Sequence, residues 1–294
     1  MFILGFVITG QKSKAQSDNQ PSSSLEKSLL WKVTGKGIKP SYLFGTIHMI
    51  AAKDYFWNEN MDKAFDKCKK LVMEIDMSNQ MAMAIEMMKL APMNGDQSLE
   101  DLLSEEDYKT VSDYFLKESD APEAKITFNM GKNWQPMLLQ SLLYKEMIEG
   151  PVKMYEMELT AKAKANKMEM GGLETVSDQM AVFHKIPYKK QAEMLLESIV
   201  NIKEGKQDNN EFAKMVEKYK EQDVDGMLVA MQDDIDEMEN SDALIDDRNK
   251  DWIPKIKEMS KKASVFYAVG AGHLGGENGV IRLLRNAGYK VEAQ

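Results

Sequence analysis

The spacing of apolar and polar positions divides this chain into strand-like ends and a helix-like middle. Short apolar runs occupy residues 29–34, 41–45 and 70–76. The first two are joined by Gly35-Lys36-Gly37-Ile38-Lys39-Pro40, so the pattern predicts a hairpin, a helix over 58–68 and a third strand. From residue 80 onward apolar residues recur every three or four positions. Helices are therefore predicted over 80–91, 99–117, 134–148, 155–166, 187–204, 210–231 and 242–262. One strand-like run, 168–174, interrupts them, and Thr175 or Ser177 caps the helix entered after it. A strand over 263–269, a helix over 278–287 and a short strand at 290–292 close the chain. Strands at both ends enclosing helices predict an α/β or α+β fold, with a central sheet made from two related halves and a large helical insertion.

Two of the predicted strands end in the same pattern, Gly45-Thr46-Ile47-His48 and Gly270-Ala271-Gly272-His273. The chain holds three histidines, and two of them share this context at opposite ends of the sequence. A histidine just past a strand end projects into the crevice where open α/β sheets place ligands, so His48 and His273 are expected at one site. His184 lacks such a context and reads as a helix-end residue. Glu74 and Glu174 each close an apolar strand, where a carboxylate needs a partner or a cation. Two imidazoles and one or two carboxylates suit zinc, manganese or cobalt, with a position left for water and a spare carboxylate as general base. Arg248, in the first turn of a predicted helix, reads either as a salt-bridge partner of its acidic neighbours or as a group for a developing oxyanion.

Composition narrows the possibilities. A net charge of -9 opposes nucleic-acid binding and suits a metal ion or a cationic peptide. Cys68 is the single cysteine, which excludes an internal disulfide and a cysteine zinc cage, and its helix-end context reads as structural. Seven methionines between positions 73 and 93 are explained by an adaptable helical surface or core without invoking copper; a methionine-lined peptide groove is an intermediate reading. The glycine cluster 270–276 lacks the Gly-Lys-Ser/Thr ending and the dinucleotide spacing, so a phosphate loop is rejected. Residues 2–10 are apolar and too short to span a bilayer, and they give way to a polar, serine-rich stretch. Residues 1–26 thus read as a signal-like segment and linker, without the usual preceding basic residues, and 27–294 as the folded domain of an exported protein.

Taken in order, Leu30-Trp31-Lys32-Val33, Ser41-Tyr42-Leu43-Phe44-Gly45-Thr46-Ile47-His48, Glu74, Gly172-Leu173-Glu174-Thr175, Asp247-Arg248-Asn249, Val269-Gly270-Ala271-Gly272-His273-Leu274 and Gly288-Tyr289 resemble the TraB/GumN family. That family includes the TIKI metalloproteases of animals. The resemblance implies an α/β core of two halves and a divalent-metal-dependent hydrolase, peptide-cleaving in the TIKI branch and using manganese or cobalt. By position it places His48, Glu74, Glu174 and His273 at the metal, with Arg248 and Asn249 as a matching pair. Two other functions stay open at this stage. One is a metal-independent hydrolase in which His48 activates water and Glu74 orients the ring. The other is an exported protein that binds a peptide or a metal without turnover.

Overall fold

The structure is a computed structural model and describes residues 24–119, 122–205, 211–236 and 241–294. The signal-like segment of the sequence reading lies almost wholly outside these residues. Six strands, β1 (Leu30–Thr34), β2 (Ser41–Thr46), β4 (Lys70–Ile75), β6 (Glu169–Glu174), β7 (Val265–Gly270) and β8 (Lys290–Ala293), form one sheet in the order β6-β4-β7-β2-β1-β8. β6, β4, β7 and β2 are parallel, and β1 runs against both its neighbours. The predicted hairpin is the β1–β2 pair, with Leu30 opposite Phe44.

Parallel strands covered on both faces read as continuous apolar runs, and β2, β4 and β7 are buried along almost their whole length. Helices cover them. Among these are α1 (Glu59–Asp66), α2 (Gln80–Leu90), α8 (Tyr155–Ala165), α9 (Val176–Phe183), α13 (Asp246–Lys262) and α14 (Val280–Asn286), whereas α10 (Tyr188–Lys203) packs on the shorter helices of the middle of the chain in a second apolar cluster. Asn58 caps α1 through its side chain. Thr175 caps α9 in a reciprocal box with Asp178, which fixes where the chain turns after β6. In α13 the buried positions Arg248, Trp252, Ile256 and Ser260 recur every four residues and form one face.

Several predicted helices are broken. Residues 99–117 form α3 (Leu99–Leu102) and α4 (Glu105–Asp113), followed by a π turn at Tyr114–Glu118. Leu103 is extended and Ser104 caps the second helix. Residues 134–148 hold two short helices, α6 (Pro136–Gln140) and α7 (Leu143–Glu146). Within 210–231 the chain makes α11 (Glu211–Lys220) and α12 (Val224–Asp236), separated at Gln222 by a left-handed backbone of φ 58°. A helix α5 (Pro122–Met130) and a two-residue ribbon, β3 (Ile50–Ala51) with β5 (Val152–Lys153), complete the fold. Among the described residues no helix is long and apolar enough to cross a membrane.

Candidate functional site

Each of the four parallel strands ends at the same edge of the sheet, and each brings one polar side chain there. β2 leads to His48, β4 carries Glu74 one residue before its end, β6 ends with Glu174, and β7 runs into a 3₁₀ turn, Ala271–His273. β2 and β7 are neighbours with Thr46 opposite Gly270, so the two Gly-x-x-His segments lie side by side. Their glycines provide room rather than a left-handed turn. A Cβ on Gly45 would stand 2.9 Å from the Ala271 Cβ, and one on Gly270 would stand 3.3 Å from Glu74 Oε1, 3.6 Å from His273 Cδ2 and 3.8 Å from His48 Nε2. The space beside Gly270 is where His48, Glu74 and His273 converge.

Glu74 is 5% exposed on a central strand, so it does not face solvent. Its Oε1 accepts from the Gly270 N–H at 2.8 Å, and its Oε2 accepts from Arg248 Nη2 at 2.7 Å and from Gln179 Nε2 at 3.0 Å. Glu174 takes the rest of the same guanidinium, accepting from Arg248 Nε at 3.1 Å and from Nη2. Gln179 Nε2 at 2.9 Å and Trp252 Nε1 at 3.4 Å complete its partners. Arg248 is therefore clamped between two buried carboxylates from adjacent strands, and Glu174 faces Arg248 instead of the open space beside Gly270.

The two histidines are anchored through Nδ1. Asn249 Nδ2 donates to the Asn278 carbonyl at 2.9 Å, which leaves its Oδ1 to accept from His273 Nδ1 at 2.7 Å. His273 Nε2 then bears the lone pair and accepts from Arg248 Nη1 at 3.2 Å; it stands 3.9 Å from Glu74 Oε1. The Trp252 ring packs against this imidazole at 4.5 Å. His48 Nδ1 lies 2.8 Å from Oε1 of Glu156, a residue of the first turn of α8, and Thr46 Oγ1 donates to the same oxygen at 3.0 Å. Glu74 does not contact the His48 ring through a hydrogen bond, so the orienting partner is Glu156.

Electrostatics divide the two imidazoles. Burial lowers the His48 pKa, but the charge and hydrogen bond of Glu156 outweigh it and leave His48 above the ordinary value. Burial and then the Arg248 charge push His273 down to about 3, so it is neutral at physiological pH. Burial would raise Glu74, yet Arg248, the two imidazoles and the Gly270 N–H hold it at about 2. These groups line a cleft at the ends of the parallel strands. Its polar floor is His48, Glu74, Arg248 and His273, and its walls include Tyr144, Phe212, Met215, Met227, Met231 and Leu244.

A family model of the TraB/PrgY/gumN family matches residues 29–293. The chain belongs to the TraB/PrgY/gumN family. It is also similar to "Metalloprotease TIKI1" of Danio rerio, at 24% identity over 93% of this chain. The chain spans 64% of that relative's length. No solved structure matches.

Against this family background the donor set can be tested for a divalent ion. Two imidazoles with Nε2 on the cleft side, each held at Nδ1 by an oxygen, form the arrangement that orients histidine ligands, and Glu74 Oε1 adds a hard oxygen. The 3.9 Å between His273 Nε2 and Glu74 Oε1 is a span that two ligands at about 2.1 Å from one ion can share. Among the described residues, however, no three His, Cys, Asp or Glu side chains already stand as a closed ligand cluster, and Arg248 Nη1 occupies the His273 lone pair. The chemistry of the donors fits a metal, and the closed coordination sphere is not preformed.

Glu156 and Gln179 were not singled out from sequence. A glutamate in the first turn of a helix is ordinary there because it faces the positive end of the helix dipole, and nothing in the sequence separates Glu156 from Glu158. Gln179 lies on α9, five residues after Glu174 of β6, and nothing in that spacing marks it. His184 is remote, at the end of α9 against Tyr188 and Gln135. Met73, Met77, Met83, Met87 and Met93 are core residues, whereas the methionines lining the cleft come from elsewhere in the chain.

Proposed function

We propose that the chain is a divalent-metal-dependent hydrolase of peptide or related amide bonds. The convergence of His48, Glu74 and His273 beside Gly270, with both imidazoles anchored at Nδ1, is the observation that carries this reading. His48 Nε2, His273 Nε2 and Glu74 Oε1 would hold the ion, manganese or cobalt by family likeness and zinc by donor type. A bound ion would supply Lewis-acid polarisation of a carbonyl and a water of lowered pKa.

The remaining roles belong to the protein. Arg248 keeps Glu74 ionised, and its positive charge at the cleft floor favours negative charge developing on substrate. Glu174, with both oxygens on Arg248, holds that guanidinium in place. The Phe212 and methionine wall excludes water and accepts an apolar substrate side chain. Export, supported by the apolar run at residues 2–10, belongs to the same reading.

The test is peptide hydrolysis by purified protein before and after chelation, with Mn²⁺, Co²⁺ and Zn²⁺ restored singly. Activity should vanish on chelation and return with one ion, and His48→Ala and His273→Ala should each reduce it by at least about 100-fold. Full activity in the chelated protein overturns the metal-dependent reading. Ion binding without product for any peptide overturns the hydrolase reading.

A further inference from the structure

We propose that Glu156 is a positioning residue of this site, whose carboxylate fixes the His48 imidazole in the Nδ1–H tautomer and so turns the Nε2 lone pair toward the cleft. Glu156 Oε1 is 2.8 Å from His48 Nδ1 and takes a second hydrogen bond from Thr46 Oγ1, two residues before His48 in the chain. A strand end and a helix start are thereby tied together at one oxygen. The geometry needs no bound ion. Its consequence for the ion rests on the hydrolase reading above.

The other oxygen argues that the carboxylate is kept for this contact. Glu156 is 5% exposed, and Oε2 is a buried atom with no hydrogen-bond partner among the described residues. It belongs to a residue lining a second, small pocket on the Met73 and Met77 side of His48. A buried polar atom left unpaired costs about 1–3 kcal/mol, and more for a charged group. Packing alone would be served better by an apolar side chain of similar size. Partial relief comes from the first turn of α8, where a negative charge is favoured. What an apolar residue cannot supply is an acceptor for His48 Nδ1–H.

The two imidazoles are also oriented differently. His273 is held by the neutral amide oxygen of Asn249, and His48 by an anion. A carboxylate behind an imidazole raises its basicity as a ligand, so His48 becomes the stronger nitrogen donor of the pair.

The experiment uses full-length chain labelled with ¹⁵N at its three histidines, whose ring nitrogens report the tautomer at the alkaline plateau of each titration. His48 is assigned by the signals lost in His48→Ala. In the unsubstituted protein His48 should carry its proton on Nδ1. Glu156→Ala should move it to Nε2 or a mixture, and Glu156→Gln, whose amide oxygen can accept the same bond, should restore Nδ1–H. In parallel, Mn²⁺ titration calorimetry should show about 10- to 100-fold weaker binding for Glu156→Ala and a smaller loss for Glu156→Gln. Finding His48 as Nε2–H in the unsubstituted chain overturns the proposal without any variant. An unchanged tautomer in Glu156→Ala, or Mn²⁺ affinity within twofold of the original, overturns it as well. If the unsubstituted chain binds no Mn²⁺, Co²⁺ or Zn²⁺, the metal-dependent reading fails while the tautomer still decides for or against Glu156.

Discussion

Replacing Arg248 by methionine tests the electrostatic frame of the site most directly. The side chain of Arg248 is 6% exposed, and those of Glu74 and Glu174 are 6% and 5% exposed, so the substitution leaves two buried carboxylates without their counter-charge. Breaking a buried ion pair from one side costs about 3–5 kcal/mol. The depressed Glu74 pKa, the net of burial, Arg248, the two imidazoles and the Gly270 N–H, sets how stability depends on pH. Glu74 is held at about 2 in the folded ion-free protein, against about 4.3 in an unfolded chain, and about 1.4 kcal/mol per unit makes this worth about 3 kcal/mol.

The sign follows from the depressed value. The contribution is fully present above about pH 4.3 and is lost as pH falls from there toward 2. Urea unfolding of the ion-free protein, followed by tryptophan fluorescence at intervals from pH 7 to pH 3, should therefore show stability falling on the acid side. Arg248→Met should be about 3–5 kcal/mol less stable at pH 7, with much of the acid-side dependence flattened. Arg248→Met with Glu174→Gln should recover part of the loss, because one of the two stranded charges is removed. A loss below about 1 kcal/mol at pH 7, or an unchanged acid limb, would refute the assignment of Arg248 as the counter-charge of Glu74.

Three further outcomes are expected. Gly270→Ala meets no backbone objection at φ -51°, but it sets a methyl group 3.3 Å from Glu74 Oε1, between the three proposed ligands. Stability should change by less than about 1 kcal/mol while Mn²⁺ affinity in calorimetry drops at least about 10-fold, and unaltered affinity would place the ion elsewhere. Cys68 is buried and its thiol is pushed up to about 12, so at pH 8 it should resist an aromatic disulfide reagent in folded protein and react in urea. Labelling of the native protein within minutes would contradict this burial. The apolar cleft wall should make peptides with Leu, Met or Phe beside the scissile bond better substrates than those with Asp, by about 10-fold or more in kcat/KM; equal turnover of both sets would deny the wall a part in selection.

Much of the sheet was legible because buried parallel strands leave a clear trace. The runs through Gly45, Glu74 and Val269 are apolar along most of their length, and strands so buried must lie inside the sheet. The run ending in Glu174 is the parallel strand at the sheet's edge, and it is correspondingly less buried. The helical middle was legible in kind but not in boundaries. What broke the predicted segments were a cap at Ser104, a turn at Ser141–Leu142 and a left-handed residue at Gln222. None of these alters the apolar period on either side. The β3–β5 ribbon is only two residues per strand, too short for any alternation to register.

The candidate site shows the same division between what a strand writes into sequence and what a fold assembles. A charged residue inside an apolar run violates a local pattern, which is why Glu74 and Glu174 stood out and Glu156 did not. Yet pattern could not rank the two strand glutamates, since both break it equally. Register does rank them. β4 lies beside β7, and its Glu74 reaches the Gly270 N–H and the space between the histidines. β6 is one strand further out, and its Glu174 reaches Arg248 from the far side. The repeated Gly-x-x-His is decided by register too. The two copies can share a site because β2 and β7 pair in parallel with Thr46 opposite Gly270, and a crossing of any other strand between them would have put their imidazoles out of reach of one carboxylate.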